Sequence, residues 1–171
     1  MSKMLRFTEV IAAGSPEITA PSEASGLLTL EFADRRRSRM RARLDDGREA
    51  ALLLPRGSIL HDGDRLRDPE RGEVVTVRAA DQTLSFVHAE GAVALARAAY
   101  HLGNRHIPVQ VGAGWLAYEH DHVLDAMVDE LGLAVEVRVA PFEPEAGGYR
   151  HGAASGHHHG HGHDHEHRHQ H

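Results

Sequence analysis

The strongest constraint on this chain is a change of hydrophobic rhythm near Ala80-Asp81. Before that point, apolar residues fall in short runs of alternating or continuous character, cut by turn residues. After it, runs of strand character alternate with stripes at helical spacing. A period of about two belongs to strands and one of about 3.6 to helices, so the two halves need different architectures.

In the first half, Leu27 to Phe32 reads as a strand. Arg35, Arg37, Arg39, Arg41 and Arg43 alternate with Ser38, Met40, Ala42 and Leu44, which predicts a strand over 35–44 with a charged, solvated face. Asp46-Gly47 is a hairpin signal, and Glu49 to Leu54 returns as the next strand before Pro55 and Gly57. Asp62-Gly63-Asp64 marks a further turn, and Val74 to Arg78 another strand. This spacing predicts an all-β domain over 1–80.

In the second half, Thr83 to Val87 reads as a strand. Ala92, Leu95, Ala99 and Leu102 then recur at helical spacing, with Gly103 as the stop. His106 to Val111 and Trp115 to Tyr118 read as strands about a Gly112-Ala113-Gly114 turn. Val123, Leu124, Met127, Val128 and Leu131 form a second helical stripe, ended by Gly132, and Ala134 to Val139 closes as a strand. The order β-α-β-β-α-β predicts a ferredoxin-like domain over 81–143. The fold class expected is therefore α+β, followed by a histidine-rich tail over 144–171 that has too few apolar residues to form a core and is expected to be disordered.

The tail carries the clearest chemistry. His157, His158, His159, His161, His163, His165, His167, His169 and His171 are interleaved with Gly, Asp, Glu, Arg and Gln, and His151 precedes them. A tag would be an uninterrupted run, so a native metal-binding segment is the better reading. The chain has no cysteine, which leaves imidazole and oxygen as ligands. Such ligands suit Ni(II), with Zn(II) or Cu(II) as alternatives at the same histidines. In the folded part, His106 stands at the predicted start of a strand just after a helix exit. His120 and His122 flank Asp121 at the predicted start of a helix. All three are candidate ligands, whereas His61 and His88 read as surface or hydrogen-bonded residues.

Other functions lack their signatures. No H-E-x-x-H helix, G-x-S-x-G elbow or G-x-x-x-x-G-K-[ST] loop is present, so neither hydrolysis nor nucleotide chemistry is expected. A formal net charge of −6 argues against nucleic acid as a partner, leaving the arginine face to solvent or to an acidic protein. No run approaches the ~20 apolar residues of a membrane span, and no signal-peptide core is visible; a cytoplasmic protein without a membrane partner is expected.

Tyr100-His101-Leu102-Gly103-Asn104-Arg105-His106-Ile107-Pro108 and Tyr118-Glu119-His120-Asp121-His122-Val123-Leu124 resemble signature segments of the UreE urease accessory proteins. Leu54-Pro55-Arg56-Gly57, Asp62-Gly63-Asp64 and Pro141-Phe142-Glu143-Pro144-Glu145-Ala146-Gly147 add to the likeness, which spans about Leu27 to Tyr149. The resemblance implies a homodimeric nickel metallochaperone with an N-terminal β domain, over 1–80, that is a candidate docking surface for partners, and a ferredoxin-like metal domain. It implies delivery of Ni(II) to the urease apoprotein together with its accessory complex, which includes a GTPase. It places the central ligand at His106, shared across the dimer, and further ligands at His120 and His122. The first ~26 residues have no counterpart in that likeness, and the tail histidines cannot be matched individually. A nickel or zinc store without a dedicated client is the alternative reading.

Overall fold

The computed structural model describes residues 4–16 and 24–146. The expected tail, with His151 and His157 to His171, lies outside the described residues. The chain is an α+β protein made mostly of strands. Its elements are β1 (Leu5–Phe7), β2 (Glu9–Ile11), β3 (Leu27–Leu30), α1 (Phe32–Arg35), β4 (Arg39–Arg43), β5 (Glu49–Leu53), β6 (Arg65–Asp68), β7 (Glu73–Ala79), β8 (Asp81–His88), α2 (Ala92–Gly103), β9 (Gln110–Gly112), β10 (Trp115–Glu119), α3 (His122–Glu130) and β11 (Val135–Pro141).

The first seven strands form two sheets, ordered β1-β5-β4 and β2-β6-β7-β3. Leu5, Phe7, Leu28, Leu52, Leu60, Leu66 and Val75 meet in one core cluster built from both sheets. Aliphatic side chains from alternate strand positions supply it, as a two-layer β unit requires. The strand expected over Arg35 to Leu44 is shorter than the arginine alternation. Only Arg39–Arg43 is extended, with Met40 and Ala42 half-buried between exposed arginines. Upstream, Phe32–Arg35 winds into a helical turn that buries Phe32 and Arg35. Arg35 is fully buried, so its place on a solvated strand face is corrected.

The remaining strands form a sheet ordered β11-β8-β10-β9 with every neighbouring pair antiparallel. Along the chain these elements run β8-α2-β9-β10-α3-β11, the predicted succession. Leu102 and Ala98 of α2 and Leu124 and Val128 of α3 pack with Val87, Leu116 and Tyr118 of the sheet. Gly112 faces Trp115 across the β9–β10 hairpin, and a Cβ there would lie 2.1 Å from the indole. The close approach of ring and backbone therefore requires glycine.

The two halves are joined through Phe32, Arg35 and residues 142–143. The Phe32 and Phe142 rings meet edge to face at 5.6 Å and share a small cluster with Leu84. One terminal nitrogen of Arg35 donates to the Leu60 carbonyl at 3.0 Å and to the Glu143 carboxylate; the other donates to the Phe142 carbonyl. The guanidinium also lies 5.4 Å from the Phe32 ring centre. No helix among the described residues is long and apolar enough to cross a membrane.

Candidate metal centre

His106 follows α2 by way of Asn104 and Arg105. The backbone reverses sharply there: Arg105 N–H and Ile107 N–H both donate to the Leu102 carbonyl, at 3.0 and 3.1 Å. His106 takes up the reversal with φ 58°, the sole non-glycine left-handed residue among those described. It lies in this turn rather than at the start of a strand, since β9 begins only at Gln110. Left-handed backbone strains any residue with a Cβ, and such strain gathers at functional positions. The His106 ring is exposed and lines a cleft of about 530 Å³ with Ile107, Val109, Phe32 and Pro144.

His120 and His122 sit where β10 passes into α3. Asp121 caps that helix, its Oδ1 accepting from Val123 N–H at 2.7 Å and Leu124 N–H at 3.3 Å. These two donors hold the Asp121 carboxyl below its ordinary pKa. The expected helix start is thus present, with His122 as its first residue. Both histidines are exposed.

His120 has a support that sequence reasoning missed. Its Nδ1 is 3.0 Å from an oxygen of Asp125 and 3.0 Å from Ser85 Oγ. Asp125 lies one helical turn on, and its other oxygen accepts from the buried Tyr118 hydroxyl at 2.8 Å. Burial, with the neighbouring Asp125 carboxylate, pushes the Tyr118 hydroxyl far above its usual pKa and keeps it a donor. Ser85 reaches the group because it pairs with Tyr118 across β8 and β10. The sequence shows only a lone serine within the apolar run Leu84-Ser85-Phe86-Val87; its full burial, and so its contact, emerges with the fold.

With Nδ1 engaged, the unbonded nitrogen of His120 is Nε2, the arrangement in which a carboxylate fixes the ligating nitrogen of an imidazole. Among the described residues, no three histidine, aspartate or glutamate side chains converge on one point. His106, His120 and His122 therefore do not form a closed set. His61 and His88 are hydrogen-bonded surface residues: His61 meets Glu143 at 3.2 Å and His88 meets Arg138 at 3.2 Å.

The sequence model of the N-terminal domain of the UreE urease accessory protein matches residues 7–80, and that of its C-terminal domain matches residues 82–171. The chain belongs to the UreE family. A relative in Pseudomonas putida named "Urease accessory protein UreE" is 54% identical over 126 residues, covering 74% of this chain and 78% of its own. One of the same name in Alkalilimnicola ehrlichii is 51% identical over 146 residues, covering 85% of each chain. Another in Vibrio parahaemolyticus is 45% identical over 158 residues, covering 91% of this chain and 99% of its own. The UreE match thus includes residues 7–26 and the segment after Tyr149, which the resemblance of individual motifs left out.

Proposed function

We infer that this UreE family member is a nickel metallochaperone for urease maturation, a carrier rather than a catalyst. The observation that carries the reading is His106: an exposed imidazole held on left-handed backbone inside a chain that matches the family along both halves. Nickel is the cargo, held through His106, His120 and His122 together with the tail histidines. Zn(II) and Cu(II) compete for the same nitrogen donors.

The antiparallel order β11-β8-β10-β9 supports a ferredoxin-like reading of the metal domain, and the passage from β7 to β8 at Ala80 supports a boundary there. A second protomer would complete the His106 site. Val93, Tyr100 and Val111 are exposed by 71%, 66% and 53% in the half that carries His106, an apolar surface suited to a homodimer contact. The client is the urease apoprotein with its accessory complex, including a GTPase, because this chain has no phosphate-binding loop of its own. The compartment is the cytoplasm.

The test is nickel calorimetry on protein truncated after Gly156, with and without His106→Ala. Loss of the tightest binding event in the variant, with an unchanged far-ultraviolet spectrum, supports the chaperone site. An unchanged tight event overturns it and leaves a tail-based metal store.

A further inference from the structure

β4 is an edge strand whose exposed side chains are arginines. β4 pairs with β5 on one side only and has no strand on its other side among the described residues. The hydrogen bonds that frame this ladder fix which backbone groups are free. Leu54 N–H donates to the Ser38 carbonyl at 2.7 Å, and Leu44 N–H donates to the Arg48 carbonyl at 2.9 Å. Hydrogen-bonded and non-hydrogen-bonded pairs alternate in an antiparallel ladder. Met40 and Ala42 therefore spend their backbone groups on β5, while Arg39, Arg41 and Arg43 turn N–H and C=O toward the open edge.

The same three residues hold the exposed side chains of the strand. Arg43 has a distant partner in Glu49 at 3.7 Å, whereas Arg39 and Arg41 have no ion pair among the described residues. Beyond the start of β4, Arg36, Arg37, Ser38, Arg39 and Arg56 surround a depression of about 350 Å³. Positive charge is thus concentrated along one edge of a protein whose total is −6.

We propose that the β4 edge binds an extended segment of a partner protein in which acidic and apolar residues alternate, added to the sheet as a further strand. Strand addition uses the outward backbone groups of Arg39, Arg41 and Arg43 for affinity and alternate side-chain positions for specificity. An added strand places every second side chain beside the arginines, where carboxylates fit. It places the intervening ones beside Met40 and Ala42, where apolar groups extend the core. A second copy of this edge is a poor occupant, because antiparallel pairing of β4 with itself sets arginine against arginine. Nucleic acid would use the charge but neither the outward ladder nor the apolar positions.

The probe is a fluorescent peptide of repeating Glu-Val units, titrated with the full-length chain by anisotropy. Arg39→Glu/Arg41→Glu is expected to weaken binding by about tenfold or more. Arg71→Glu/Arg97→Glu, with the same charge change elsewhere, leaves it within about twofold. A peptide with alternate backbone nitrogens methylated, tested on the unmodified chain, keeps its charge but loses the ladder and is expected not to bind. The proposal is overturned if the parent peptide does not bind, leaving the arginines as guards of an edge strand. It is equally overturned if the methylated peptide binds as well as the parent, or if single-stranded DNA competes as effectively as unlabelled peptide.

Discussion

His120 Nδ1 lies 3.0 Å from the Asp125 carboxylate, and that carboxylate is itself held by the buried Tyr118 hydroxyl at 2.8 Å. The arrangement settles which imidazole nitrogen faces outward. A neutral ring with its proton on Nδ1 donates to Asp125 and leaves the Nε2 lone pair for a metal. Asp125→Asn removes the anionic acceptor while keeping the side-chain volume. Nickel affinity at this position is expected to fall roughly ten- to hundredfold. Nitrogen-resolved NMR of the metal-free protein should show the His120 tautomer preference weakened. An unaltered tautomer would detach Asp125 from the site.

Tyr118→Phe separates support from ligand. The ring stays in the core, but Asp125 loses a donor. A stability loss of about 1 kcal/mol in urea denaturation is expected, with a smaller effect on nickel than Asp125→Asn has.

His106→Gly tests the turn. Glycine adopts φ 58° without a steric cost, so thermal stability should rise by the equivalent of about 1 kcal/mol. The tight nickel event should vanish in the same protein. A variant that gains stability while losing metal would identify the strain as the cost of placing the imidazole there.

Arg35→Met leaves Glu143 without its buried cation and the Leu60 and Phe142 carbonyls without their donor. Breaking a buried pair from one side costs about 3–5 kcal/mol, and chemical denaturation should show a loss of that order. Arg35→Lys should not rescue it, since a lysine ammonium cannot reproduce the fork that meets these partners.

Glu73 of β7 accepts from the Ser25 hydroxyl and from Arg48, 3.3 Å away, which ties the β4–β5 hairpin to the neighbouring sheet. The Ser25 hydrogen bond, reinforced by Arg48, holds the Glu73 carboxyl below its ordinary pKa of 4.5. A depressed carboxyl stabilises the folded state above its unfolded pKa, and that contribution is lost as pH falls through the folded value. Glu73→Gln should therefore lower the melting temperature at neutral pH. The gap from the parent should close on acidification below about 4.5, a value typical of an unperturbed glutamate. A gap that persists in acid would assign the effect to packing.

Much of this was written in local pattern. The helix of α3, its start about Asp121 and its Gly132 stop are all set by neighbours within a turn, and each was readable; the capping role of the Asp121 carboxylate emerged with the fold. Three of the four strands of the second half were readable for the same reason, since turn residues bound them; β9 was not, as it begins at Gln110 rather than His106. Phe32–Arg35 was not, because Arg35 continues an arginine alternation whose meaning depends on Phe142 and Glu143, more than 100 residues away. β6 hides its apolar content behind arginines: only Leu66 of Arg65–Asp68 is a hydrophobic residue in the core. At the site, the positions of His120 and His122 about Asp121 were legible. The left-handed turn at His106 and the contacts of Asp125 and Ser85 with His120 were not, since helix and sheet must pack before those groups meet.

The last described residues fix where the tail sets out. Glu143 N–H donates to the Gln110 side chain at 2.9 Å and Glu145 N–H to the Val109 carbonyl at 2.8 Å, so Pro144, Glu145 and Ala146 border the same cleft as His106. From that anchor, covalent geometry alone grades the histidines by reach. His151 is five residues beyond Ala146, a leash of at most about 18 Å at ~3.6 Å per residue. His171 is 25 residues beyond it, with a leash of up to about 90 Å. Chain length alone therefore sets a different outer limit for each position beyond Ala146, even where the residue is the same.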